Sequence, residues 1–232
     1  MKTIGLIGGL SWESSIEYYR IINEGVKKML GGLHSAKCIM YSFDLDEIAK
    51  LQHSGNWSEA TKMMIDAAQS LERAGADFII ICTNSMHKVF DELQKNIKIP
   101  ILHIVDATAE NIKEMGIKKV GLLGTKYTME EDFYKGRLSK NHGIEVIMPN
   151  EKERQVVHDV IYNELCIGKI SDTSREQFKK IIANLEKNGA DGVILGCTEI
   201  PLLIKQKDCR IPLFDTAEIH AKAAVEYAFK NQ

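Results

Sequence analysis

Two stretches of this chain repeat one another. AGADFIIICTNSMH (residues 74–87) and NGADGVILGCTEIP (188–201) each carry Gly-Ala-Asp, an apolar run, and a cysteine that opens a polar segment. The two cysteines, Cys82 and Cys197, stand 115 residues apart. Further matches flank them in the same order: IGLIGGLS (4–11) with VGLLGTKY (120–127), and IPILHIVDATAE (99–110) with IPLFDTAEIH (211–220). Chance likeness between apolar strands is the alternative, but three ordered matches favour duplication of one unit.

Each unit alternates short apolar runs with longer amphipathic segments. Candidate strands fall at 4–7, 39–43, 78–82, 101–105, 120–123, 144–148, 193–197 and 213–214. Several are apolar throughout, as strands of a parallel sheet are when helices cover both faces. Between them lie helical stripes such as Ile16–Tyr19–Ile22–Val26, Ala60–Met64–Ala67–Leu71 and Phe178–Ile182–Leu185. The alternation predicts an α/β fold with parallel strands. No Pro/Gly/Ser-rich linker divides the copies, and the seam is expected near residues 98–106.

Composition narrows the function. Lys plus Arg number 30 and Asp plus Glu 32, a net charge of −2 without basic clusters, which argues against nucleic acid or an anionic membrane as partner. Small anions stay possible, because backbone amides bind them without net charge. The opening MKTIGLIGGLSWES is broken by Gly8 and Gly9 before a secretion signal's apolar segment could form, and no run reaches the roughly 20 residues of a membrane helix. Five scattered cysteines do not make a disulfide framework. These features predict a cytoplasmic protein with free thiols.

Ligands of parallel α/β sheets collect at the carboxyl ends of the strands, where Cys82 and Cys197 both lie. Thr83, Asn84 and Ser85 suit capping of a following helix, Thr198 suits it in the second copy, and Pro201 is tolerated in a first turn. A helix start beside each sulfur would lower its pKa and could hold a carboxylate. Cys38, Cys166 and Cys209 have no repeat partner and read as packing residues. Two equivalent thiols facing one pocket suit removal of a proton from one face of a carbon and its return to the other, with one thiol and one thiolate. His87, soon after Cys82, could tune that thiol or be a partly buried helix residue. No metal-ligand spacing occurs, and Gly5, Gly8 and Gly9 do not follow the dinucleotide-binding order.

IIICTNSMHK (79–88) and VILGCTEIPLL (193–203) resemble the two signature segments of the aspartate/glutamate racemase family. MKTIGLIGGLSWESSIEYYRIINEG, GGLHSA and LLGTKYTMEEDFYKGRL are similar to its aspartate-racemase branch, and the likeness runs over essentially the whole chain. The resemblance implies two similar α/β domains related by pseudo-twofold symmetry, with the site in the cleft between them. It also implies racemization without pyridoxal phosphate, metal or other cofactor. Cys82 and Cys197 would be the paired acid and base, with Cys197 on the L face and Cys82 on the D face. The C-terminal segment would return to the first domain, giving residues 1–103 plus 212–232 and residues 104–211. Members are commonly homodimers.

For a small amino-acid substrate, Thr83, Asn84 and Ser85 would hold the α-carboxylate, with Thr198 opposite. The turn Gly8–Gly9–Leu10–Ser11 would let backbone approach the ligand at Leu10. Glu199 would orient the ammonium or simply favour a helix start. Some aspartate racemases place an arginine for the distal carboxylate in the loop at 51–57. None stands here, and Gln52 is the replacement the close branch suggests, ahead of Lys50 and His53, with Lys169 a weaker candidate. Aspartate is thus the first expectation, with glutamate or a broader amino-acid range beside it. Rival readings are a related decarboxylase or isomerase, a metabolite-binding protein without chemistry, and a redox switch joining the two cysteines.

Overall fold

The computed structural model describes residues 1–230. Its first half runs β1 (Ile4–Gly8), α1 (Trp12–Leu30), β2 (Cys38–Ser42), α2 (Leu45–His53), α3 (Trp57–Arg73), β3 (Phe78–Ile81), a 3₁₀ turn (Ser85–Val89), α4 (Phe90–Lys95) and β4 (Ile101–Leu102). The second continues through α5 (Ile104–Glu114), β5 (Lys119–Gly124), α6 (Lys126–Glu130), α7 (Asp132–His142), β6 (Glu145–Ile147), α8 (Glu151–Asn163), α9 (Asp172–Lys187), β7 (Gly192–Gly196), α10 (Ile200–Leu203), β8 (Leu213–Asp215) and α11 (Thr216–Phe229). Two compact units result. One holds Met1–Ile104 and the segment from His220 onward; the other holds Val105–Ile219.

Each unit has its own four-stranded sheet, ordered β2-β1-β3-β4 in the first and β6-β5-β7-β8 in the second, and every pairing is parallel. The shared strand order is what a duplicated unit must give. β1, β3 and β7 are buried along their whole length, which explains why their sequences are apolar without alternation.

Local chemistry sets the helices. Ser11 caps α1 by accepting from the Ser14 amide, and Ser14, Ser15, Tyr18, Ile22 and Val26 form its buried stripe. Asn150 and Glu153 close a reciprocal capping box at α8. In the first unit Ile48, Ala60, Met64, Ala68, Leu71 and Leu93 from α2, α3 and α4 pack on Ile7, Ile79 and Ile81 of the sheet. Full burial of each aliphatic side chain contributes roughly 1.5–3 kcal/mol.

Two details depart from the sequence reading. The run 101–105 pairs only through Ile101 and Leu102, and α5 already begins at Ile104. Its first amide is taken by the ring of His87, not by a neighbouring strand. At the far end, β8 pairs with β7 through Val193↔Leu213 to Leu195↔Asp215, so 213–215 belong to the second sheet, whereas a boundary at 212 would put them in the first. The division falls within α11 instead, and the last two residues of the expected segment lie outside the described residues.

Candidate active site

In the first unit the site forms where β1 and β3 end side by side. The Cys82 amide donates to the Ile7 carbonyl at 2.9 Å, carrying the ladder one residue past β3 and setting the cysteine beside the Gly8–Gly9 turn. Gly9 is required there: its φ is +73°, and a Cβ would collide with the backbone of Phe43. The closeness explained by this glycine is therefore to Phe43. Leu10 packs its side chain into the core, leaving its backbone as the part that could meet a ligand.

Cys82, Thr83 and Asn84 are all buried. Burial alone pushes the Cys82 thiol far above its usual range. The Gln52 side chain donates to Ser85 Oγ at 3.4 Å and Met86 Sδ at 3.1 Å, so α2 is fastened to the segment that follows Cys82. Lys88 Nζ lies 3.8 Å from the centroid of the Trp57 ring. Of the stretch 51–57, Gln52 is thus buried and bonded, while His53 to Asn56 are exposed.

In the second unit β5 and β7 end together at Gly124↔Gly196, and Cys197 follows. A Cβ at Gly196 would stand 2.8 Å from the Leu123 carbonyl, so the strand ends sit too close for any larger residue. Cys197 Sγ donates to Glu199 Oε2 at 2.9 Å, and Thr198 Oγ1 donates to the same oxygen at 3.0 Å. Cys197, Thr198 and Glu199 are buried. The Cys197 thiol is pushed well up, first by burial and then by the carboxylate of Glu199 and the charge Cys166 would carry. Tyr162 on α8 shares this neighbourhood, its phenol pushed up by burial and by Cys197, Tyr127, Cys166 and Glu199. Its ring lies 4.9 Å from that of His158, which accepts the Lys126 amide.

The helix-start expectation is corrected at both cysteines. Asn84 occupies the cap position of a 3₁₀ turn, yet no side-chain capping bond forms. α10 has four residues, its cap position is Glu199, not Thr198, and Thr198 spends its hydroxyl on Glu199. Pro201 does sit in the first turn. Segments this short sum few peptide dipoles, so burial wins and both thiols move up instead of down. The structure therefore offers two protonated thiols and, at Cys197, a carboxylate within reach of the proton.

Tyr162 and Cys166 went unnoticed in the sequence as members of this site. Nothing in their local pattern marks them; only the folding of α8 and of the 3₁₀ turn Leu165–Ile167 after it brings them near Cys197. Tyr127 was missed as well, although the repeat aligns it with Ser11 at the corresponding turn and could have drawn attention to it. Among the described residues no group of three or more His, Cys, Asp or Glu could hold a metal ion, and no helix is long and apolar enough to cross a membrane.

The sequence pattern of the Asp/Glu/hydantoin racemases matches residues 7–224. The chain belongs to that family. It is 30% identical over 172 residues to the broad specificity amino-acid racemase RacX of Bacillus subtilis, covering 72% of this chain and 71% of RacX. Among solved structures, a candidate Asp/Glu racemase from Yersinia pestis is 55% identical, with a TM-score of 0.92 over 99% of this chain and all (100%) of that one. An aspartate racemase homologue from Pyrococcus horikoshii is 40% identical, with a TM-score of 0.85 over 98% of this chain and 99% of the other. The family pattern spans both cysteine segments of this member.

Proposed function

We propose that the protein racemises a free amino acid by moving a proton on and off Cα between Cys82 and Cys197, without a cofactor. The carrying observation is the equivalence of the two thiols: each ends the same strand of an identically ordered sheet and each is held protonated by burial. Cys197 gives its proton to Glu199, and the thiolate removes the α-proton of the L enantiomer. Cys82, kept as a thiol, delivers a proton to the opposite face. One proton leaves and one arrives, so the product differs only in configuration. Glu199 is left protonated and Cys82 as thiolate, and exchange with solvent, which takes the proton from Glu199 and returns one to Cys82, restores the starting state. A second reading keeps the fold and drops the chemistry, and turnover separates them. A chiral assay against a panel of amino acids should show interconversion; binding without turnover would favour the metabolite-binding alternative.

The substrate is aspartate or glutamate. The buried side chains of Thr83, Asn84 and Thr198 and the hydroxyl of Ser85 would hold its α-carboxylate, with backbone at Leu10 alongside. Gln52, an amide where a cation would enforce an acidic side chain, supports a broader range as the alternative, in keeping with the name of RacX. The same panel tests this choice.

Glu199 divides the two roles considered for it. If it accepts the Cys197 proton, Glu199→Gln should lower kcat by about 10²-fold with KM little changed. A rise in KM at constant kcat would assign it to the substrate ammonium.

A second copy of the chain is the partner we infer, seated on α1. Trp12, Ile16 and Tyr19 are 63%, 53% and 52% exposed, beside Met40 on the edge strand β2. Exposed large apolar side chains grouped on one face are the kind of surface a partner covers. Trp12, Ile16 and Tyr19 lie on one side of α1 at helical spacing, so a twofold axis would set the same stripe of each copy against the other. Tyr19→Glu should convert a dimer to a monomer in sedimentation velocity; a wild-type monomer, or a dimer unmoved by the change, would contradict this.

A further inference from the structure

His87 is a buried side chain the chemistry above does not use. It stands in the 3₁₀ turn five residues beyond Cys82, and its two ring nitrogens have opposite jobs. Nδ1 lies 2.8 Å from the carbonyl oxygen of Thr83, the residue next to Cys82. Nε2 lies 3.2 Å from the amide nitrogen of Ile104 and accepts its N–H. A backbone amide can only donate, so Nε2 must carry the lone pair. The proton is then on Nδ1, which donates to Thr83.

The ring is held from its sides as well. Its centroid is 4.6 Å from that of His103 and 5.9 Å from that of His220. His220 is itself fixed, Nε2 at 3.0 Å from the Leu102 carbonyl and Nδ1 at 3.0 Å from the Tyr18 hydroxyl. Ile104 is the last residue of its unit before the chain leaves it. Buried polar contacts with both partners satisfied fix one arrangement, and losing one leaves a buried group unpaired.

The geometry points to His87 as the positioning residue of Cys82: a neutral imidazole that pins the Thr83 peptide to the Ile104 amide and so fixes where the neighbouring thiol stands. This rests on the proposed racemization. His87 touches no reacting atom; it acts through the peptide beside Cys82. Displacing that peptide by about 1 Å is enough to cost on the order of 10²-fold in a proton-transfer step. The effect should be one-sided, because Cys197 belongs to the other unit and keeps its own carboxylate.

The test compares two rates in D₂O with the L enantiomer: inversion, and deuterium entry into recovered L substrate. For His87→Ala the ratio of exchange to inversion should rise at least about tenfold, because Cys197 still removes the proton while Cys82 delivers poorly. His87→Asn, which keeps a short donor, should recover part of the inversion. A fall of both rates in parallel would mean a merely structural side chain and would overturn the inference. A wild-type protein that neither exchanges nor inverts would sink the racemase reading itself, and this inference with it. Wild-type protein gives a check that needs no variant: long-range proton–nitrogen spectra at pH 7 should show His87 neutral with its proton on Nδ1. Finding that proton on Nε2, or a charged ring, would overturn the assignment.

Discussion

Cys82→Ala and Cys197→Ala are each expected to lower enantiomer interconversion by about 10²–10⁴-fold, the range over which a positioned acid or base acts. The two losses should not add. Inversion needs both a base on one face and an acid on the other, so either variant alone already removes the route and the double variant loses little more. Ligand binding should survive in both, because alanine leaves the polar groups of Thr83, Asn84 and Thr198 in place. Isothermal titration with the substrate beside a chiral assay separates the two quantities. Full activity in both single variants would remove the thiols from the mechanism. Loss in only one would leave a one-base enzyme and break the equivalence drawn from the repeat.

Acid should destabilise the protein through His220. It is fully buried, and burial holds its pKa down at about 4. An unfolded histidine takes up its proton near pH ~6.5. Between these two values the unfolded chain binds more protons than the folded one, so stability is complete above about pH 6.5 and falls as pH drops. The loss levels off below about pH 4, with a total on the order of 3 kcal/mol. The surrounding groups cannot soften this: Tyr18 donates to one ring nitrogen, the other is on the Leu102 carbonyl, and the ring facing it is His87. Urea unfolding at pH 7.5 and pH 4.5 should show most of that loss in the wild type and a shallower one in His220→Gln. Equal slopes would place the acid sensitivity elsewhere.

The fold was legible because its strands are simple in composition. Phe78 to Ile81 and Gly192 to Gly196 are buried on both faces, so they write contiguous apolar runs, and the repeat wrote them twice. Short elements were harder. Ile101 to Val105 is apolar enough for a full strand, yet a tertiary bond from His87 claims the Ile104 amide and starts a helix there. The membership of Leu213 to Asp215 depends on pairing with β7, which no local pattern encodes.

The site divides the same way. Cys82 and Cys197 were visible because each interrupts an apolar run just before polar residues. Their ionisation was misjudged, since a capped helix and a four-residue turn look alike until hydrogen bonds are drawn. Glu199 was seen as a helix-start acid or an ammonium ligand. That it accepts a hydrogen bond from the Cys197 thiol shows only in the 2.9 Å contact made once the strand end is folded. Gln52 was placed by likeness to the racemases, and the fold sets it in contact with Ser85 and Met86.

The most direct measurement follows hydrogen at Cα early in the reaction of L-aspartate in D₂O with the wild-type enzyme. Two thiols, one on each face, predict that newly formed D-aspartate carries one deuterium while remaining L-aspartate stays almost entirely protiated. Equal deuterium in both enantiomers from the first time points would mean one group serving both faces, and would contradict the paired-thiol account.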